Sequence, residues 1–290
     1  MRYDLGQFSL TGDRSMNQDR CAALETPRAV FMVLGDGMGG HPGGDKAAEI
    51  LVNTCHALFQ RSAKPTAAPD QLLERMFQQA HDSVVSYGLA QQPPIEPRTT
   101  AVMALIQGEW AYWAHSGDSR LYLLRAGEVL LRTQDHSYVE ELYQRGEISA
   151  DERDGHPYRH YVTRAVGGLE GSPRPALGIP TRLEPGDLIL LCSDGLWAQL
   201  PEATMARALA DGSQPLETVI GDLVHRAMMQ GHPFSDNVTA IALRWLGAQQ
   251  TRTARTATAT HSGRPDDQMQ DAIDNIKRAL ADHENEEDKE

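Results

Sequence analysis

The sequence predicts an α+β chain with antiparallel strands at its centre, and three observations predict it. Residues 99–106, 110–115, 121–124 and 129–131 are short apolar or alternating runs joined at Gln107-Gly108-Glu109 and Ala126-Gly127-Glu128, the pattern of an antiparallel meander. Helical spacing of apolar residues precedes this block, at about 45–61 and again beyond the Pro/Ala stretch 63–69, and returns at 203–209 and 216–229. Two continuous apolar runs, 30–34 and 188–192, are too short for helices and read as buried strands.

Taken in order, residues 1–12 alternate loosely (Tyr3, Leu5, Phe8, Leu10) as an opening strand. The polar turn 12–19 then sets Arg14 beside two carboxylates. A strand at 20–24 and the Thr26-Pro27 break lead to the 30–34 strand, which stops at Gly35-Asp36-Gly37. Gly39, Gly40, Gly43 and Gly44 keep the backbone open before the first helix, where Ala47, Leu51, Cys55 and Leu58 share one face. The second helix turns Leu72, Leu73, Met76, Phe77, Ala80 and Val84 inward. After the meander, 138–146 reads as a short helix. The stretch 147–178, rich in Gly, Pro, Arg and His, is a long irregular segment of the kind that is more often functional than idle. The last strand is expected at 238–245.

These elements place one globular domain at 1–246. A linker without stable structure follows at 247–265, then a segment at 266–290 in which Met269, Ile273, Ile276 and Leu280 form a narrow stripe on a short helix before an acidic end.

Composition excludes several classes. A net charge of −13 over 290 residues makes the chain a poor partner for nucleic acid, while suiting a carboxylate cluster that holds divalent cations. No apolar run approaches the ~18 residues that span a bilayer, and the opening MRYDLGQFSLTGD is not a secretion signal. Cys21, Cys55 and Cys192 are few, odd in number and far apart, which points to a reducing, cytoplasmic setting.

Three stretches share one design, an apolar strand delivering an Asp between small residues: VFMVLG before Asp36, YWAHSG before Asp118 and LILLCS before Asp194. A fourth carboxylate, Asp236, immediately precedes the last strand. Buried strand tips that each deliver a charge must satisfy it, and converging carboxylates repel one another unless cations lie between them. Oxygen donors without a His/Cys cluster favour Mg²⁺ or Mn²⁺ over zinc. Alternatively, each Asp caps its own turn.

In combination, Arg14-Ser15-Met16-Asn17-Gln18-Asp19, Asp36-Gly37-Met38-Gly39-Gly40-His41, Thr99-Thr100, Ser116-Gly117-Asp118-Ser119-Arg120, Ser193-Asp194-Gly195-Leu196-Trp197 and Asp236-Asn237-Val238-Thr239 resemble, in order, the motifs of the metal-dependent protein phosphatases (PPM, or type 2C) in their compact bacterial form. The resemblance spans 14–239. It implies a four-layer α-β-β-α sandwich, two central antiparallel sheets flanked by helix pairs, with a binuclear Mn²⁺ or Mg²⁺ site at one edge. It also implies hydrolysis of phosphoserine and phosphothreonine in proteins by a metal-bridged hydroxide, without a phosphoenzyme. Position by position, it implies that Asp36 bridges both ions and the Gly37 carbonyl ligates one of them. Asp194 and Asp236 complete the other, and Asp118 with Asp194 holds a third, weaker ion. Asp19 holds metal-bound waters and Arg14 grips the phosphate. The implied partners are phosphoproteins and a bacterial Ser/Thr kinase, for a chain that works as a monomer.

One departure is Met38, where some members of that family carry a His proposed as general acid; a thioether has no proton to give. The 147–178 segment occupies the position of the family's variable flap, where His156, Arg159, His160 and Arg164 could meet phosphopeptide. Cys55 and Arg61 satisfy a Cys-x₅-Arg spacing, but the residues between them contain no glycine and Cys55 lies on an apolar helix face, so a core thiol is expected. No Gly-Lys-Ser/Thr closes the Gly-rich run as a nucleotide loop requires. A metal-binding partner module without turnover, and a regulatory phosphatase for one dedicated phosphoprotein, are the alternatives.

Overall fold

The computed structural model describes residues 1–248 apart from Glu170 and Ser172. Strands β1 (Arg2–Leu10), β2 (Asp19–Thr26) and β3 (Ala29–Asp36) open the chain, followed by helices α1 (Gly44–Arg61) and α2 (Pro69–Leu89). Next come β4 (Arg98–Thr99), β5 (Ala101–Gln107), β6 (Trp110–Ser116), β7 (Arg120–Arg125) and β8 (Glu128–Arg132). Short pieces follow: α3 (Tyr138–Gln144), α4 (Ala150–Asp154), β9 (Val166–Gly167), β10 (Ala176–Leu177) and β11 (Thr181–Arg182). The chain closes with β12 (Leu188–Cys192), α5 (Asp194–Trp197), α6 (Glu202–Ala210), α7 (Leu216–Gly231) and β13 (Val238–Gly247).

One sheet has the order β1-β13-β12-β7-β8 and the other β10-β6-β5-β3-β2, all pairs antiparallel. Successive side chains of a strand point to opposite faces, and here both faces are covered. In β3, Val30, Met32 and Leu34 meet β12 and β13 of the opposite sheet through Ile189, Leu191, Ile241 and Leu243. Phe31 and Val33 of the same strand face Leu51, Cys55, Met76 and Phe77 of α1 and α2. In β12, Leu188, Leu190 and Cys192 likewise meet Met205, Leu209, Ile220 and Leu223 of α6 and α7. Three apolar layers therefore separate four layers of structure, α-β-β-α. Burial on both faces is why 30–34 and 188–192 are continuously apolar instead of alternating.

The meander expected over 99–131 is corrected: it is two hairpins in different sheets. β5 and β6 pair in one, β7 and β8 in the other, and Gly117-Asp118-Ser119 carries the chain across. Gly117 takes φ +111°, a backbone state that L side chains rarely adopt, and a Cβ there would lie 2.7 Å from Thr100 Cβ. The single strand expected at 99–106 is also interrupted. Arg98 and Thr99 pair with β9, and Thr100 turns its N–H to the Asp36 carbonyl at 2.8 Å. The 147–178 segment carries α4, capped by Ser149 and Glu152, besides β9 and β10. Gly247 closes β13, one residue beyond the expected domain end. The rest of the expected linker beyond Ala248, and the 266–290 helix and tail, lie outside the described residues. Among the described residues no helix is long and apolar enough to cross a membrane.

Candidate metal centre

At the edge where β2, β3, β12 and β13 begin or end, a cavity of about 820 Å³ is lined by Arg14, Asp36, Gly37, Asp118, Asp194 and Asp236. Six of the seven residues that the sequence selected meet here. The seventh, Asp19, is 2 % exposed beneath them.

Each is positioned by backbone that its own sequence dictates. Asp36 ends β3, where its N–H donates to Thr100 Oγ1 at 3.0 Å and its carbonyl accepts from Thr99 Oγ1 at 2.9 Å. Gly37 N–H donates to the Gln18 carbonyl at 3.2 Å, and a Cβ at Gly37 would collide with the Gly44 carbonyl at the start of α1. Asp118 sits on the crossing between sheets, and its carbonyl accepts the Trp197 indole N–H at 3.0 Å. That indole is stacked by Arg120, 3.6 Å from the ring centroid, which forks onto Asp135 at 2.7 and 2.8 Å. Asp194 opens α5 directly after β12. Asp236 is followed by Asn237, whose amide accepts from Gln18 N–H at 2.8 Å and donates to the Thr11 and Met16 carbonyls. Asn237 thus clamps the loop that carries Arg14.

Electrostatics shows what the arrangement lacks. Burial first, then the charges of Asp19, Asp194, Asp118 and Asp236, hold the Asp36 carboxyl well above the usual carboxylate range. Asp118 is raised by burial, then by Asp194 and Asp135. Asp19 is pushed up to about 6 by burial, against hydrogen bonds that favour its charged form, and its Oδ1 is buried without a partner among the described residues. Among the described residues no three acidic, His or Cys side chains form a ready-made chelate. The donors instead ring a cavity with room for more than one cation and its waters. Hard oxygen donors, mutual repulsion and an orphaned carboxylate oxygen fit divalent cations of the Mg²⁺ or Mn²⁺ type.

Arg14 finds its carboxylate partner far along the chain. Its Nη2 donates to Asp236 Oδ2 at 2.7 Å, and that pairing raises its pKa. No other hydrogen bond from its guanidinium is formed among the described residues, so most of its five donors face the cavity or solvent. His160 brings Nδ1 to 3.8 Å from Asp194 Oδ2, so the flap segment reaches the carboxylates themselves. His41 and Met38 line the same cavity.

Sequence reasoning assigned no role to Thr100, Ser193, Asn237 or Trp197. All four lay inside the quoted motifs, but their work is hydrogen bonding to backbone and carboxylates far away in sequence. Cys55 is a fully buried core thiol whose pKa burial pushes up, as expected.

Known proteins resemble this chain in sequence and in fold. The family model for protein phosphatase 2C matches residues 9–230. The serine/threonine phosphatase stp of Listeria innocua is 32 % identical over 202 residues, covering 68 % of this chain and 78 % of the relative. The serine/threonine phosphatase of S. agalactiae superposes with a TM-score of 0.77 at 28 % identity, covering 84 % of this chain and 99 % of that one. The catalytic domain of PstP in complex with 2 manganese ions superposes with a TM-score of 0.68 at 27 % identity, over 83 % and 97 % of the two chains. The α-β-β-α sandwich and these likenesses together define a serine/threonine protein phosphatase. The chain belongs to the protein phosphatase 2C family.

Proposed function

We propose that this chain removes phosphoryl groups from phosphoserine and phosphothreonine side chains of proteins, with two Mn²⁺ or Mg²⁺ ions at the sandwich edge. The observation that carries the reading is the convergence of four carboxylates on one cavity with Arg14, delivered from both sheets. Asp36 would serve both ions, the Gly37 carbonyl would help to hold one of them, and Asp194 and Asp236 would hold the other. Asp118 would hold a third, weaker ion together with Asp194, a role supported by Asp194 being the charge Asp118 feels most. When bound, such ions offset phosphoryl charge and make water a nucleophile at neutral pH.

The chain's own residues do the rest. Arg14 uses its unoccupied donors to hold the phosphoryl oxygens while Asp236 anchors its other edge, a planar fork matched to a dianion. Asp19, hydrogen-bonded to Ser193, adds negative charge beneath the site and a free acceptor for ordered water. Met38 donates its backbone N–H to the Arg98 carbonyl and has no side-chain proton, so the leaving alcohol takes its proton from water. Substrates are phosphoproteins, with a Ser/Thr kinase as the opposing enzyme. The three free thiols suit a reducing cytoplasm. Release of phosphate from phosphoserine and phosphothreonine peptides with Mn²⁺, and none in EDTA, is the expected result; inert peptides with a folded, metal-loaded protein would refute the reading.

A further inference from the structure

We propose that Trp197 is a positioning residue: its indole, stacked on Arg120, fixes Asp118 relative to Asp194 and so sets the affinity for the weakest ion. The proposal rests on the phosphatase reading above, in which those two carboxylates share that ion. Asp36 ends a strand and Asp236 immediately precedes one, whereas Asp118 lies between β6 and β7, on the crossing from one sheet to the other. A carboxylate carried by such a crossing needs a brace from outside it.

The brace comes from α5, a single turn that opens with Asp194 and ends with Trp197. Trp197 Nε1–H donates to the Asp118 carbonyl at 3.0 Å, so one hydrogen bond joins the turn that carries one carboxylate to the backbone of the other. The indole is itself held. The Arg120 guanidinium stands 3.6 Å from its ring centroid, and Arg120 is 8 % exposed, an environment in which a cation–π contact is strong. Arg120 is fixed in turn by its fork onto Asp135 and by the Tyr122 hydroxyl, which accepts from Nη1 at 3.1 Å. His136, next to Asp135, donates its backbone N–H to the Gly117 carbonyl at 2.9 Å, and its ring Nδ1 accepts the Gly117 N–H at 3.2 Å. Residues on both sides of Asp118 are thereby tied to the segment after β8.

This assembly supplies geometry rather than field. After burial and the charge of Asp194, Asp135 raises the pKa of Asp118 and Arg120 lowers it, so the charges of the pair oppose each other at the carboxylate. None of Trp197, Arg120 and Asp135 lines the cavity. Trp197 is only partly buried, at the margin of the core between β12 and the helices α6 and α7, so packing alone does not demand a ring that bears an N–H. A group that holds a ligand's backbone without touching the ion still changes the affinity for that ion, because it decides where the ligand's oxygens stand.

The test is Trp197→Phe, which keeps a ring over Arg120 and removes the N–H. Mn²⁺ binding is followed by the electron paramagnetic resonance signal of free Mn²⁺, and p-nitrophenyl phosphate turnover is measured over the same titration. The expected result is a half-saturation for the weakest ion raised about five- to tenfold, with the tighter ions unmoved and the circular dichroism that of the wild type. Arg120→Lys, which keeps the charge opposite Asp135 and gives up the planar stack, shifts the same ion in the same direction, and it carries the test by itself if Trp197→Phe does not fold. In an Asp118→Asn background Trp197→Phe adds no further loss, because both changes act through one carboxylate. A wild-type chain without Mn²⁺-dependent turnover overturns both readings. Metal-dependent turnover with wild-type Mn²⁺ binding in the folded variants, or a wild type that binds no weaker ion, overturns this proposal alone. An equal loss for every ion, or a Trp197→Phe effect that persists in full in the Asp118→Asn background, also overturns it.

Discussion

Ser193 donates its hydroxyl to Asp19 Oδ2 at 2.7 Å, and the two residues stand at the ends of strands, β12 and β2, that belong to different sheets. Ser193 follows β12 and also accepts the Thr239 N–H at 3.0 Å, while Asp19 opens β2 opposite Asp36. One buried carboxylate thus ties the two halves of the sandwich together at the edge that carries the cavity. Replacing Ser193 with Ala removes a charge-assisted hydrogen bond from a buried carboxylate. We expect a loss of about 1–3 kcal/mol in urea denaturation at pH 7, with the metal affinity falling in parallel.

The same carboxylate gives the site a pH signature. Its folded pKa of about 6 lies above the unfolded value of ~3.9, so between those values the folded state binds more protons. In EDTA this contribution is present at low pH and is lost as pH rises from about 4 to about 6, to the extent of roughly 3 kcal/mol. The raised Asp36 and Asp118 act in the same direction. Cations offset that repulsion, so the gain in melting temperature on adding Mn²⁺ should grow between pH 5 and pH 7. A gain that does not vary with pH would count against the carboxylates as ligands.

Arg14 is 58 % exposed at the side chain and rests on Asp236, which argues for a binding role over a stabilising one. Arg14→Ala should leave urea stability nearly unchanged and lower kcat/KM for phosphopeptides by about ten- to a hundredfold, the worth of a charged hydrogen bond to phosphate. Arg14→Lys should recover only part of this, because an ammonium lacks the planar fork.

Gly117 allows the crossing between sheets. Gly117→Ala combines a disfavoured φ with a collision against Thr100, whose hydroxyl accepts the Asp36 N–H and is 2.7 Å from Ser119 Oγ. Destabilisation of about 2 kcal/mol or more is expected by denaturant titration, with activity falling further because Thr100 holds the Asp36 N–H and Ser119, the residue next to Asp118.

Cys55 marks the mechanism that does not operate. Its thiol is fully buried and contacts the Met103 sulfur at 3.9 Å. Iodoacetamide treatment of the native protein should leave Mn²⁺-dependent turnover intact.

Much of this was legible in the sequence because burial on two faces leaves a plain mark. The runs 30–34 and 188–192 read as buried strands and are such, and each handed a carboxylate to the same edge. The sheet assignment was not legible, because 99–131 reads as one meander until Gly117 is seen to cross between sheets. Nor were the partners of the site residues. Asn237 clamps residues more than two hundred positions away, and Arg14 pairs with Asp236 across 222 positions instead of with its neighbours Asp13 or Asp19. Spacing along the chain carries no trace of such contacts; only the order of motifs hinted that they meet.

The proposed function requires that carboxylates at the strand tips hold the cations that make this cavity a phosphatase. Its most direct test is p-nitrophenyl phosphate turnover across an Mn²⁺ titration, for wild type and Asp194→Ala, with circular dichroism to verify that both are folded. Turnover that appears with Mn²⁺, vanishes in EDTA and falls by at least about a hundredfold in the folded variant is the predicted result. A folded Asp194→Ala protein with wild-type turnover, or wild-type turnover that survives EDTA, would contradict it.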